Sequence, residues 1–169
     1  PGSGLEFSIY AGCELLNLRP GEWSLPISPR PVSHNQEEFP GGTSVAPDRG
    51  YVCLATWRQD GFTSLEAETE GSCATVPFTF SGNRLEINAW SRYGGGIRVE
   101  LADASSETRF SSSEAIAGRT FDDSDPISGD ALKHTVTWNG ESDLSAWAGK
   151  PVRLRFQLRR ARIHAFQFV

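Results

Sequence analysis

Apolar and polar residues alternate along several segments of this chain, which is the pattern of half-buried β-strands. Leu85, Ile87 and Ala89 alternate with polar neighbours, and residues 96–102 and 151–158 repeat the same period of two. Successive side chains of a strand point to opposite faces, so the pattern places one face on a core and predicts antiparallel sheets. The predicted strands cover residues 5–10, 51–57, 62–68, 73–80, 83–90, 96–102, 132–138, 151–158 and 162–168.

Turn and helix signals agree with a fold built from strands. Asp60-Gly61 and Ser81-Gly82-Asn83 separate predicted strands, and the chain contains 17 glycines and 10 prolines. One short helix is predicted over residues 143–148, with Ser142 or Asp143 as the N-cap and Gly149 just beyond its end. We therefore expect an all-β, antiparallel, jelly-roll-like β-sandwich in one domain, with at most one or two short helices.

The N-terminal third differs in composition from the rest. Residues 18–49 contain six prolines, together with Gly21, Gly41 and Gly42. Because proline removes backbone donors, this density predicts a long irregular segment. The expected organisation is an irregular segment at 1–50 packed on a β-sandwich domain at 51–169.

Charge and composition exclude several classes of function. The net charge is −5, and no arm rich in lysine and arginine is present, so nucleic acid is not an expected partner. No run of about 20 apolar residues occurs, so no membrane contact is expected either. The chain has no methionine and begins Pro1-Gly2-Ser3, which indicates a fragment of a larger protein. Cys13, Cys53 and Cys73 form no C-x-x-C pair, and one disulfide or three buried thiols remain open.

A string of phrases in the last two-thirds of the chain carries a resemblance to a known class of domain. The phrases are DGFTSLEAE (60–68), LEINAW (85–90), GIRVEL (96–101), DDSDPISGD (122–130) and the stretch from VTWNG to the end (136–168). They resemble the C-terminal β-sandwich of bacterial proteins related to five-bladed β-propeller glycoside hydrolases of the family 32 and 43 type. The resemblance implies an accessory sandwich beside a sugar-cleaving or sugar-binding module, in an extracellular or periplasmic protein. Residues 1–48 fit it poorly.

The resemblance transfers no catalytic residue to this chain. The catalytic carboxylates of those enzymes lie in the propeller, of which this chain contains no sequence. A glycosidase needs two carboxylates across one cleft, whereas Glu66, Glu68, Glu86 and Glu100 fall on strand surfaces, where arginines account for them. We therefore expect no enzyme in isolation.

Aromatic residues are the candidates for sugar contact, since flat rings stack on the C–H faces of sugars. Trp90 lies on the polar phase of its strand, followed by Arg92 and Tyr93 and then by three glycines that would let a ligand approach. Trp57 and Trp23 are further candidates. The alternative is that these tryptophans cover the edges of the core. Trp138 and Trp147 are predicted core residues.

The acidic run at 122–130 is a candidate calcium site. Asp123, Asp125 and Asp130 combine clustered carboxylates with a glycine, as calcium loops do, although the spacing is not that of an EF-hand. The alternative is a solvated turn whose aspartates bond their own backbone.

The function predicted from the sequence is a non-catalytic carbohydrate-binding module that holds a neighbouring catalytic module near a polysaccharide or oligosaccharide. The alternative is a structural domain that packs against a glycosidase propeller. A small glycoside hydrolase is the third option. Exposed aromatics around Trp90 would favour the first, and a large apolar patch in residues 1–48 would favour the second.

Overall fold

Strands dominate the part of the chain that the structure describes, and the predicted all-β class with antiparallel sheets is confirmed. The structure is a computed structural model, and it describes residues 8–30, 51–106 and 113–169. Within these ranges the helical content is a single 3-10 turn at Ser145–Trp147, shorter than the predicted helix. The chain divides into two compact units, Pro1–Gln59 and Asp60–Val169, so the boundary lies later than the one predicted after residue 50.

The first unit contains one antiparallel sheet whose central strand runs through the proline-rich segment. Its strands are β1 (Ser8–Ala11), β2 (Leu16–Arg19), β3 (Glu22–Arg30) and β4 (Cys53–Arg58). β3 pairs with each of the other three.

The prediction of irregular backbone over 18–49 is therefore wrong for residues 22–30. Proline lacks the amide donor but keeps its carbonyl, and Pro26 O accepts a bond of 2.8 Å from the amide of Gly12. Pro26 also lies in register with Leu54 on β4. Residues 31–49 of the predicted irregular segment lie outside the described residues.

The second unit is organised by two long strands that pair with each other. Its strands are β5 (Leu65–Ala74), β6 (Leu85–Asp103), β7 (Glu114–Ala115), β8 (Asp130–Thr135) and β9 (Val152–Phe168). β6 and β9 are antiparallel partners from Leu85 opposite Phe168 to Asp103 opposite Val152. β5 lies on the far side of β9, and β7 and β8 pair with β6.

Two predicted strand boundaries do not exist in this unit. The predicted strands 83–90 and 96–102 are one strand, β6, and 151–158 and 162–168 are one strand, β9. The register shifts between Ser91 and Gly96, where the extra residues of β6 form a bulge rather than a turn. The predicted strand 73–80 is also wrong, because β5 ends at Ala74 and Phe78 makes only an isolated bridge.

The hydrophobic core of the second unit lies largely under β6 and β9. Trp138 is 1% exposed, as predicted, and its indole Nε1–H donates to Val99 O at 2.8 Å. The Arg119 guanidinium lies 5.4 Å from the Trp138 ring and 5.3 Å from the Trp147 ring. The largest fully buried apolar side chains are Trp138, Leu85, Ile87, Ile97, Leu101, Leu144, Leu154, Val99, Val136 and Val152.

Gly95 is the tightest point of the bulge. A Cβ there would lie 2.5 Å from Arg159 O, 2.7 Å from Arg160 O and 3.0 Å from Arg92 O. These carbonyls belong to the backbone, which cannot move aside as a flexible side chain could. Glycine is therefore required at position 95 so that β6 and β9 can approach each other.

We expect Gly95→Ala to destabilise the protein by about 3 kcal/mol or more, because overpacking against backbone forces the two strands apart. The matched control is Gly94→Ala, where a Cβ meets nothing within 4 Å and only the positive φ of 72° is unfavourable. That variant should lose only about 1–2 kcal/mol. Urea unfolding of both variants measures the difference, and equal losses would contradict the close approach at Gly95.

Candidate functional site

The outer face of β5, β9 and β6 carries polar side chains on three adjacent strands. Glu70, Arg159 and Gly96 form one row across the sheet, and Ser72, Gln157 and Arg98 form the next. Residues directly opposite each other in a ladder point to the same face, so these rows share one surface. Leu158, between them on β9, points into the core.

This face forms a groove of about 670 Å³. Carboxylate, hydroxyl, amide and guanidinium groups lie beside glycines and apolar atoms, which is the mixture found in sites for polar small molecules. The lining residues are Glu70, Gly71, Ser72, Gly95, Gly96, Ile97, Arg98, Pro126, Gln157, Leu158 and Arg159.

Most of the polar groups that line the groove are available to a ligand. Over residues 8–30, 51–106 and 113–169, no hydrogen bond or ion pair engages the side chains of Glu70, Gln157 or Arg159. Arg98 is held in place, because its Nη1 donates to Phe121 O at 2.9 Å and to Ser124 O at 2.6 Å. The groove therefore combines one anchored guanidinium with several unengaged polar side chains.

In the next row of the same face, the charged side chains form an internal ion pair with each other. Arg155 Nη1 lies 2.7 Å from Glu100 Oε1, and Arg155 Nη2 donates to Ser113 Oγ at 3.0 Å. This agrees with the expectation that arginines account for carboxylates on strand surfaces. Glu66 is similarly paired with Arg162 at 3.1 Å.

Trp90 has one face of its ring covered. The Arg162 guanidinium lies 4.7 Å from the centroid of the indole, and the same guanidinium binds Glu66. Trp90 is half-buried, whereas Leu85, Ile87 and Ala89 are buried, as their predicted phase requires. Asn88, predicted on the polar phase, is nevertheless buried, and the register shifts between Asn88 and Ala89. Stacking of a sugar on the covered face is blocked by Arg162.

Arg92 and Tyr93 lie on the bulge of β6 and are exposed. The Tyr93 side chain is 100% exposed, and Gly95, two residues further on, lines the groove. Among the predicted residues Trp90, Arg92 and Tyr93, the last two are thus the closest in sequence to Gly95, which lines the groove.

Trp23 and Trp57 belong to the first unit. They lie directly opposite each other on β3 and β4, and both are half-buried. The five predicted sugar-contacting residues are therefore divided between two units and do not come from one sheet.

The structure does not bring Asp123, Asp125 and Asp130, the predicted calcium site, together as a set of metal ligands. Asp123 accepts bonds from the Thr120 hydroxyl and amide, Asp125 accepts bonds from Thr137 Oγ1 and Gly140 N, and Asp130 begins β8. Among the described residues, no three His, Cys, Asp or Glu side chains could together hold a metal ion. Asp123 bonds a residue three positions earlier, as turn aspartates do, whereas Asp125 joins its loop to Thr137 and Gly140, which lie 12 and 15 residues further along the chain.

These hydrogen bonds stabilise the charged form of both carboxyls. The Thr137 hydroxyl and the Gly140 amide lower the pKa of Asp125, and the hydroxyl and amide of Thr120 lower the pKa of Asp123.

The three cysteines are free thiols and none is fully buried, so neither the disulfide nor the set of three buried thiols left open by the sequence is found. Cys13 is exposed, and Cys53 and Cys73 are half-buried. Burial raises the pKa of the Cys73 thiol, which disfavours its reactive thiolate form.

The comparisons with known proteins give no relative. No protein-family model, curated protein or solved structure matches the chain. Over the described ranges, no helix has the length and apolar character needed to cross a membrane.

The groove residues on β5 and β9 were not predicted as a site from the sequence. Glu70 falls between the predicted strands 62–68 and 73–80, and Gln157 and Arg159 are ordinary polar-phase residues of an alternating strand. The alternation does predict that Gln157 and Arg98 point outward. It does not predict that β5, β9 and β6 are neighbours.

We expect Asp125→Asn to lower the melting temperature at pH 7. Because the folded-state pKa of Asp125 lies below its ordinary value of 3.8, the charged form contributes stability that is present above that pH and is lost as the pH falls through the folded pKa. The deficit of the variant should therefore shrink at about pH 3.

Melting curves at the two pH values test this expectation. The control is Asp122→Asn, since the exposed Asp122 side chain makes no hydrogen bond within the described part of the chain. A deficit that is the same for both variants, or that is independent of pH, would contradict the role given to Thr137 and Gly140.

Proposed function

We propose that this chain is a non-catalytic carbohydrate-binding domain that binds a polysaccharide in the groove formed by β5, β9 and β6. It would serve a larger, exported carbohydrate-active protein by holding a neighbouring glycoside hydrolase module near its substrate. The observation that carries the proposal is the row of unengaged polar side chains along a groove of about 670 Å³.

The chemistry of the groove fits sugars. A sugar ring offers many hydroxyls that each donate and accept, together with apolar C–H faces. Glu70 supplies acceptors, Arg159 supplies donors, and Gln157 supplies both. Gly71, Gly95 and Gly96 line the groove with backbone atoms alone.

The groove is also preorganised. Its polar side chains project from three hydrogen-bonded strands rather than from loops, so little backbone freedom is lost on binding. Tyr93, exposed on the bulge beside Gly95, adds an aromatic ring on which a sugar could stack.

The composition of the groove supports binding rather than hydrolysis. Glycoside hydrolysis needs two carboxylates on either side of the scissile bond. Among the residues that line the groove, all of which are described, Glu70 is the single carboxylate. Glu100, on the same face, is engaged by Arg155.

A second candidate function is the structural one, and the first unit provides the observation that favours it. Ile9 is 61% exposed, Leu18 57% and Val52 74%. Apolar side chains at such exposure are typical of surfaces that pack against another module. This candidate predicts that the chain binds no glycan.

We expect Gln157→Ala to weaken the retention of the protein in a polysaccharide-containing gel by about fivefold, because loss of one hydrogen bond costs about 1 kcal/mol. The melting temperature should not change, since the Gln157 side chain is exposed. The matched control is Gln167→Ala, an exposed glutamine on the same strand that lies outside the groove. Equal retention of the two variants would place the ligand elsewhere.

We expect Tyr93→Ala and Trp90→Ala to separate binding from stability. Tyr93 is fully exposed, so its loss should weaken retention several-fold and leave the melting temperature unchanged. Trp90 is half-buried against Arg162, so its loss should cost about 2 kcal/mol of folding free energy. A Trp90→Ala variant that is fully stable yet binds no glycan would instead make Trp90 the stacking platform.

A further inference from the structure

We propose that the groove selects an acidic polysaccharide, and that Arg159 and Arg98 bind the carboxylate of a uronic acid residue. The inference rests on the proposed function and adds the chemical class of the ligand. It rests on the hydrogen bonds and ion pairs that these two guanidinium groups make or lack, and on the position of Glu70.

Arg159 is an exposed arginine on the outer face of β9. Its backbone lies between Glu70 on β5 and Gly96 on β6, and within the described ranges its side chain makes no ion pair or hydrogen bond. Gly96 has no side chain that could pair with Arg159, although the backbone carbonyl of Ile127 lies 3.2 Å from where a Cβ would stand. A planar guanidinium in this setting is suited to bidentate binding of a carboxylate.

Arg98 supplies a second, fixed guanidinium on the same face. It is the partner of Gln157, one row along from Arg159 and Gly96, and diagonal neighbours of this kind are separated by about 7–8 Å. Its Nη1 is anchored by Phe121 O and Ser124 O, while its other two nitrogens make no hydrogen bond with described residues. A carboxylate between the two arginines would therefore meet donors from both sides.

Glu70 restricts the kind of anion. Its carboxylate lies directly across from Arg159 and would repel a densely charged polymer. It can still accept hydrogen bonds from sugar hydroxyls. The arrangement therefore fits a polymer with one carboxylate per sugar and free hydroxyls, and it disfavours a heavily sulfated one.

The experiment compares retention of the whole chain in native gels that contain polygalacturonate, carboxyl-reduced polygalacturonate, or dextran sulfate. The first two polymers share their linkage and differ only in the carboxylate. We expect the strongest retention with polygalacturonate, weakened by added NaCl. Arg159→Gln should lose about tenfold in affinity for polygalacturonate and little for the reduced polymer.

The control variant is Arg84→Gln, which removes one exposed arginine outside the groove and should bind like the parent. Equal retention by the acidic and reduced polymers, strongest retention by dextran sulfate, or equal effects of Arg159→Gln and Arg84→Gln would overturn the acidic selectivity. If Gln157→Ala still weakens retention in those cases, glycan binding in the groove stands and only the preference for an acidic glycan is overturned. If none of these polymers and no member of a panel of neutral polysaccharides retains the protein, this inference and the proposed function are overturned together.

Discussion

The pairing of β6 with β9 is the interaction on which the second unit depends. Both strands are long, 19 and 17 residues, and they run beside each other from Leu85 to Asp103. Every other strand of the unit pairs with one of them, and most of the buried apolar side chains belong to them. Two strands of this length cannot stay flat, because strands twist and a sheet must curve to enclose a core. The bulge between Ser91 and Gly96 provides that local change of direction.

The same bulge connects the fold to the candidate site. Close approach of the backbones at Gly95 removes side-chain volume where β6 passes Arg159 and Arg160, and Gly95 and Gly96 line the groove. Tyr93, two residues before Gly95 on the same bulge, is fully exposed. The lack of a side chain at Gly95, which lets the two strands pair, thus also leaves a concave polar surface on them.

Much of the architecture follows from the alternation of apolar and polar residues in the sequence. Where the sequence predicts the wrong structure, the reason is physical. Glycines at 94–96 predict a turn when only local conformation is considered, but pairing with β9 extends β6 through them. Prolines at 26 and 29 predict irregular backbone, yet both lie in register with a partner strand, and the carbonyl of Pro26 accepts a bond from the amide of Gly12. For the site, the sequence predicts Arg92 and Tyr93, which are exposed on the bulge but are not among the residues that line the groove, and it predicts the outward phase of Trp90. Arg162 above the Trp90 ring and the juxtaposition of Glu70 with Arg159 depend on which strands are neighbours, and periodicity contains no information on that order.

The arginines of β9 show how one residue type takes different roles on a single strand. Arg155 is matched by Glu100 on β6, and Arg162 is matched by Glu66 on β5 and covers Trp90. Each of these side chains has its charge compensated by a carboxylate, so each contributes to the packing of the sheet. Arg159 lies between them along the strand, and across from it are Gly96 on one side and an unengaged Glu70 on the other. Glu70 is near enough in the ladder to moderate the charge of Arg159, but no ion pair forms between them within the described residues, so a ligand carboxylate can still bind this guanidinium.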